Sequence, residues 1–206
     1  MGFMSETRSI CVYCGSSPGR DQTYMAAGRA LGSAMAQAGI RLVYGGGSKG
    51  IMGAVSLAAL EAGGKVTGII PRFLVSKEAT EAALHTLDET VVTEDMHTRK
   101  HTMFEKSDAF VALPGGIGTV EEIVEVMTWA QLGRHRKPIV FANIAGFWAP
   151  MLALIDHMSA EGFIHTANKV RPLVVDRAED IVPAIETAWA ETATDAEGEA
   201  RIIERL

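Results

Sequence analysis

Cysteine is scarce in this chain, basic runs are short, and no long apolar stretch goes unbroken. The only two cysteines, Cys11 and Cys14, form a C-x-x-C within and at the end of an apolar strand, "SICVYCGSS". Redox dithiols of that spacing sit at a helix N-terminus, and a zinc site would need a second pair of ligands that the sequence does not supply. Both are read as buried structural thiols. No block of Lys or Arg exceeds two residues and the net charge is −6, so a nucleic-acid backbone finds no electrostatic footprint. The start, MGFMSETRSI, has no basic stretch followed by an apolar run, so a cytoplasmic location is expected. Between Pro138 and Ile155 lie eighteen uncharged residues, close to the length of a membrane span. Pro138, Asn143, Gly146 and Pro150 interrupt them, and the segment reads as a buried strand, a turn and a helix.

What is present is an alternation. Short apolar, β-branched runs occur at Ile10–Tyr13, Arg41–Tyr44, Val66–Ile70, Thr90–Thr93, Ala109–Leu113, Ile139–Ala142 and Leu173–Val175. Segments of helical period fall between most of them, at Thr23–Ala38, Ile51–Ala62, Glu94–Ser107, Thr119–Leu132, Phe147–Ala160 and Ala178–Ala190. With 206 residues, 48% of them hydrophobic, the chain can bury one substantial core. The pattern predicts an α/β fold: a single-domain, doubly wound, Rossmann-like parallel sheet over residues 1–190, with helices on both faces. Residues 191–206 read as a charged C-terminal tail, loosely helical or partly disordered, and Lys77–Leu87 as a long connection suited to a lid or an interface.

In such sheets ligands bind beyond the carboxyl ends of the strands, which directs attention to the loops there. Gly45–Gly50, "GGGSKG", fits G-x-G-x-x-G between a strand and a helix, but the next strand ends Ile70-Pro71-Arg72 with no acid for a ribose hydroxyl. NADP binding through Arg72 stays open. A Walker A loop does not, because Ile51 follows Gly50. The loop Cys14–Gly19 reads by itself as an ordinary tight turn. In "PGGIGT", Pro114–Thr119, glycines let the backbone approach a ligand while a helix start offers N–H groups and a positive dipole end, as a phosphate cradle requires. Thr119 and Glu122 equally make a T-x-x-E capping box, which satisfies two donors without a ligand. Both readings use the same residues.

The following helix carries Val120, Ile123, Val124, Met127 and Ala130 on a face suited to the sheet, and Glu122, Val126, Trp129 and Gly133 on a second stripe. A helix apolar on two sides is covered on two sides, which predicts a two-fold homodimer. In "EDMHTRKHTMFEKSDAF", Met96, Arg99, Lys100 and Met103 share a face, so two cations lie toward apolar surface, where they suit an anionic ligand. His97 and His101, four apart, lack a third partner and read as exposed or capping residues, with no metal site implied.

Three segments together, "GGGSKGIMG" (Gly45–Gly53), "MHTRK" (Met96–Lys100) and "PGGIGTVEE" (Pro114–Glu122) followed by "TWAQLG" (Thr128–Gly133), resemble the LONELY GUY (LOG) family. The likeness in order and spacing runs from the first strand to about Phe163. It implies a cytokinin riboside 5′-monophosphate phosphoribohydrolase: hydrolysis of the N-glycosidic bond of an N6-modified adenosine 5′-monophosphate to free base and ribose 5-phosphate. By the same resemblance Arg99 and Glu122 are catalytic, and Gly116, Ile117, Gly118 and Thr119 hold the phosphate. Lys100, Glu121 and Thr128 fall on further substrate positions, with Glu78 as the candidate for a glutamate before the M-H-x-R-K helix. The implied partner is a small-molecule nucleotide; no cofactor, nucleic acid or membrane is implied. The family's other label, lysine decarboxylase-like, would call for pyridoxal phosphate on a Schiff-base lysine, and no lysine here is set for one. The alternatives are a non-catalytic nucleotide- or NADP-binding protein on the same fold, and a hydrolase acting mainly on AMP.

Overall fold

A computed structural model of the chain describes residues 7–164 and 171–203. Its strands are β1 (Ser9–Tyr13), β2 (Arg41–Tyr44), β3 (Val66–Pro71), β4 (Glu89–Thr93), β5 (Ala109–Ala112), β6 (Ile139–Ala142) and β7 (Leu173–Val175). The helices are α1 (Gln22–Gln37), α2 (Gly50–Glu61), α3 (Val75–Glu78), α4 (Glu81–His85), α5 (Met96–Glu105), α6 (Ile117–Gln131), α7 (Ala149–Ala160) and α8 (Ile181–Ile203). One sheet runs β4-β3-β2-β1-β5-β6-β7, with every neighbouring pair parallel.

The period-two alternation of buried strands sorts side chains into two cores. Ile10 and Val12 of β1 face α1, α2 and α8 through Leu31, Val55 and Ile185. Cys11 and Tyr13 point the other way, toward Met103 of α5, Ile123 and Val126 of α6, and Trp148. The two cysteines join opposite cores, Cys14 with the first and Cys11 with the second, and both are free thiols. Burial pushes both thiols well above the ordinary range, as befits packing residues. Pro138–Ile155 forms β6, a turn and most of α7, and no helix of the described residues is long and apolar enough to cross a membrane.

From β1 the chain steps outward through β2, β3 and β4, then returns to place β5 on the other side of β1. That reversal opens a crevice at the carboxyl ends of β1 and β5. Main-chain bonds stitch the loops around it: Gly15 N donates to Pro114 O at 3.0 Å, and Gly15 O accepts from Ile51 N at 3.0 Å and Met52 N at 3.2 Å.

Three expectations change. Lys77–Leu87 is largely helical, ending α3 and containing α4, whose Ala83 N–H is capped by Thr80 Oγ1 at 3.2 Å. Of the segment expected as a loosely helical or partly disordered tail, residues 191–203 continue α8, and 204–206 lie outside the described residues. On α6 the second stripe is misassigned: Val126 is 2% exposed, and Trp129 packs edge-on against Phe104 at 4.8 Å. Val124 instead lies outside, with Ile117 and Leu132. The inward stripe is set by Thr119, Ile123 and Val126, spaced four and three apart, and Val124 is rotated about 100° from Ile123.

Candidate active site

The loop after β5 ends at Gly116, which occupies the N-cap of α6 without any side-chain cap bond. The expected capping box therefore does not form. The helix starts three residues earlier than the T-x-x-E pattern predicts, with Gly116 and not Thr119 at the N-cap, which moves Thr119 into the first turn, 4% exposed, and Glu122 into the second. The opening turn of α6 thus keeps the orphan N–H groups and positive dipole end that a helix start offers an anion. A Cβ built on Gly116 or Gly118 would meet no atom within 4 Å, whereas one on Gly115 would run into the Thr119 side chain. Gly115 is needed for packing, and Gly116 and Gly118 leave the approach to the amides open.

Arg99 arrives from the opposite wall on α5, whose start is fixed by Asp95 accepting from Thr98 N at 2.7 Å. It is 6% exposed, and its Nε donates to Ile69 O at 3.2 Å while Nη2 donates to Gly45 O at 3.3 Å. Nη1 lies 3.6 Å from Glu122 Oε1, both side chains being almost wholly buried. Burial pushes the Glu122 carboxyl up to about 7; Arg99 opposes that rise, and Glu121 and Glu78 add to it. A carboxylate poised there is half ionised near neutrality, the condition in which a general base works best.

One cavity of about 150 Å³ gathers Glu78, Arg99, Gly116, Gly118, Thr119 and Glu122, six of the ten residues expected from sequence. The remaining four lie outside its lining. Ile117 is 85% exposed, Lys100 bonds Glu121 and sits 3.1 Å from Glu125 Oε2, and Thr128 Oγ1 donates to Val124 O at 2.8 Å. Lys100 lies on α5, and Ile117, Glu121 and Thr128 lie on α6. Arg72, the residue that would have favoured a 2′-phosphate, is exposed and pairs with Glu94 at 3.2 Å. His97 and His101 are exposed, as expected.

Sequence reasoning missed Gly15, Ser16, Gly45 and Met52 as walls of the cavity. Gly15 and Ser16 lie in the loop read as an ordinary turn, and its position after β1, beside the topological switch, was the available signal. Among the described residues no lysine lines the cavity, so those that do line it do not fit a Schiff-base cofactor.

Crevice, uncapped helix start and buried carboxylate sit together at the switch point of a Rossmann-like α/β fold. Residues 52–185 match a family described as "Possible lysine decarboxylase". The chain is 45% identical over 178 residues to the cytokinin riboside 5′-monophosphate phosphoribohydrolase of Rhodococcoides fascians, covering 86% of this chain and 89% of that one. It is 47% identical over 171 residues to the cytokinin riboside 5′-monophosphate phosphoribohydrolase LOG of Oryza sativa subsp. japonica, covering 83% and 69%. The chain belongs to this family, of the LONELY GUY (LOG) type. Among solved structures, a structural-genomics target aligns with TM-score 0.68 at 25% identity, covering 88% of this chain and 99% of that one. The molybdenum cofactor binding protein of Rippkaea orientalis aligns at 0.65 and 20%, covering 90% and 98%, a likeness of fold alone.

Proposed function

We propose that the protein hydrolyses the N-glycosidic bond of N6-modified adenosine 5′-monophosphates, releasing free base and ribose 5-phosphate. The observation that carries the proposal is the buried Arg99–Glu122 pair, 3.6 Å apart, facing the same cavity as the uncapped start of α6. Relatives that bear this activity in their names, at 45% and 47% identity, support it.

The 5′-phosphate sits on the first-turn amides at Gly116–Thr119, which use its binding energy to place the sugar. Cleavage builds positive charge on the ribose, and ionised Glu122 stabilises it. The bond from C1′ to the base nitrogen breaks, water oxygen bonds C1′, one water proton passes to Glu122, and the departing base takes a proton from solvent, to which Glu122 afterwards releases its own. Arg99 orients the carboxylate. Glu78 contributes at the far wall, and Lys100, Glu121 and Thr128 contribute from the rim.

The reading includes a cytoplasmic location and a two-fold homodimer, in which the exposed Ile117, Val124 and Leu132 of α6 meet a second copy. The experiment is to incubate the protein with isopentenyladenosine 5′-monophosphate and with AMP and to assay free base. Release from the first, reduced about 1,000-fold or more in Glu122→Gln, is expected. Undiminished release by Glu122→Gln removes that residue from the mechanism, and no release from either nucleotide overturns the proposal.

A further inference from the structure

We infer that Gly45 is a positioning residue for base release: its carbonyl and its missing side chain seat the Arg99 guanidinium so that a single amino group, Nη1, faces Glu122. The inference rests on the hydrolytic reading above.

The G-x-G-x-x-G loop after β2 looks like an anion site, yet it presents the opposite polarity at its first residue. An anion loop turns N–H groups toward its ligand, whereas Gly45 turns its carbonyl oxygen toward a cation, 3.3 Å from Arg99 Nη2. The carbonyl of Ile69, one strand over, takes Nε at 3.2 Å. Two of the three guanidinium nitrogens are thereby committed to main-chain oxygens at the ends of β2 and β3. The third, Nη1, is left with Met96 Sδ at 3.8 Å and Glu122 Oε1 at 3.6 Å.

The seat requires glycine on steric grounds. A Cβ at position 45 would stand 2.1 Å from Arg99 Nη2 and 3.3 Å from Cζ, distances at which the guanidinium must move. Gly45 is not among the glycines with positive φ, so alanine there adds the collision without backbone strain. Gly47, two residues on, also lacks positive φ, and a Cβ there would meet the flexible end of Met52 at 3.2 Å and not Arg99. The pair gives a matched comparison within one loop.

The test uses the full chain with isopentenyladenosine 5′-monophosphate, as wild type, Gly45→Ala, Gly47→Ala, Arg99→Ala and the double variant Gly45→Ala/Arg99→Ala. In Gly45→Ala, kcat is expected to fall about 100-fold, the scale of a small misplacement at a reacting centre. KM should stay within about three-fold, because the phosphate contacts are untouched. The acid limb of the kcat profile should move to higher pH as the guanidinium leaves the carboxylate. Gly47→Ala should match wild type in both. In the Arg99→Ala background the added Gly45→Ala should change neither kcat nor the melting temperature, since the colliding group is gone. Wild-type kcat and pH profile in Gly45→Ala, or equal losses in the two backgrounds, would overturn the inference. If Gly45→Ala does not fold, the melting comparison between Arg99→Ala and the double variant decides: equal values support the seat, a lower value in the double variant overturns it. If the wild type releases no base, the hydrolytic reading fails, and that same melting comparison still tests the seat.

Discussion

The loops Gly45–Gly50 and Pro114–Thr119 are alike in composition and opposite in use. In the first, glycines make room for protein: Gly45 for Arg99, and Gly50, at φ +57°, for the main chain of Ser16. The N-terminus of the helix that follows, α2, is already occupied, with Gly15 O accepting from Ile51 N and Met52 N. In the second loop, Gly116 and Gly118 meet nothing, and α6 begins without a side-chain cap. Glycine content therefore does not identify an anion site. What identifies one is whether the amides beyond the glycines are already partnered.

Substitutions can break or sharpen that contrast. The largest effect belongs to Gly50→Ala, which forces a left-handed conformation and brings a Cβ within 2.4 Å of Ser16 C. A loss of roughly 3–5 kcal/mol is expected in denaturant unfolding. A Gly50→Ala protein as stable as wild type would mean that the first loop is not packed as described.

Next comes Glu122→Gln, measured as stability against pH. The folded carboxyl titrates at about 7, above its usual 4.5, so the native state holds the proton to higher pH than the unfolded chain does. That contribution is complete below pH 4.5 and is lost as pH rises through about 7, beyond which the buried charge is a net cost. The glutamine variant should be more stable than wild type by on the order of 2–3 kcal/mol at pH 8, with the gap closing toward pH 5. Wild-type base release should weaken over the same range in the acid direction, as Glu122 takes up its proton. Equal stability curves would place Glu122 in solvent.

Gly118→Ala is a smaller and more discriminating change. Its Cβ has open space and alanine favours helix, so stability should hold or rise by about 0.5–1 kcal/mol. KM for the nucleotide should nevertheless rise about ten-fold, equivalent to about 1.4 kcal/mol, as the methyl group crowds the phosphate. An unchanged KM would move the phosphate away from this turn. Smallest is Asp95→Ala, which removes the side-chain cap of α5 and should cost about 1 kcal/mol in thermal unfolding. Its counterpart on α6 has no such cap to lose.

Much of the fold was legible because fully buried parallel strands leave short apolar runs, and the helices between them keep a 3.6-residue period. All seven strands fall within one residue of the expected spans. The start of α6 was less legible. T-x-x-E is a genuine cap signature, but Gly116 caps the helix first, and letters alone do not say which of two adequate starts wins. Arg99 beside apolar surface could be read from its neighbours Met96 and Met103; Glu78 could be placed only through the family resemblance. The role of Gly45 was hidden for a plainer reason: a glycine in a sequence announces that a side chain is missing, not which neighbour needs the space. The outer apolar stripe of α6 was misdrawn because the inward face follows Thr119, Ile123 and Val126, with Val124 turned out to solvent.

The bonds among Gly15, Pro114, Ile51 and Met52 run entirely between main-chain atoms. A scaffold fastened in that way is indifferent to the identity of most residues it carries. Side chains carried on that frame, such as those of Ser16 and Met52 on the cavity wall, can therefore be exchanged without breaking the bonds that hold the loops together.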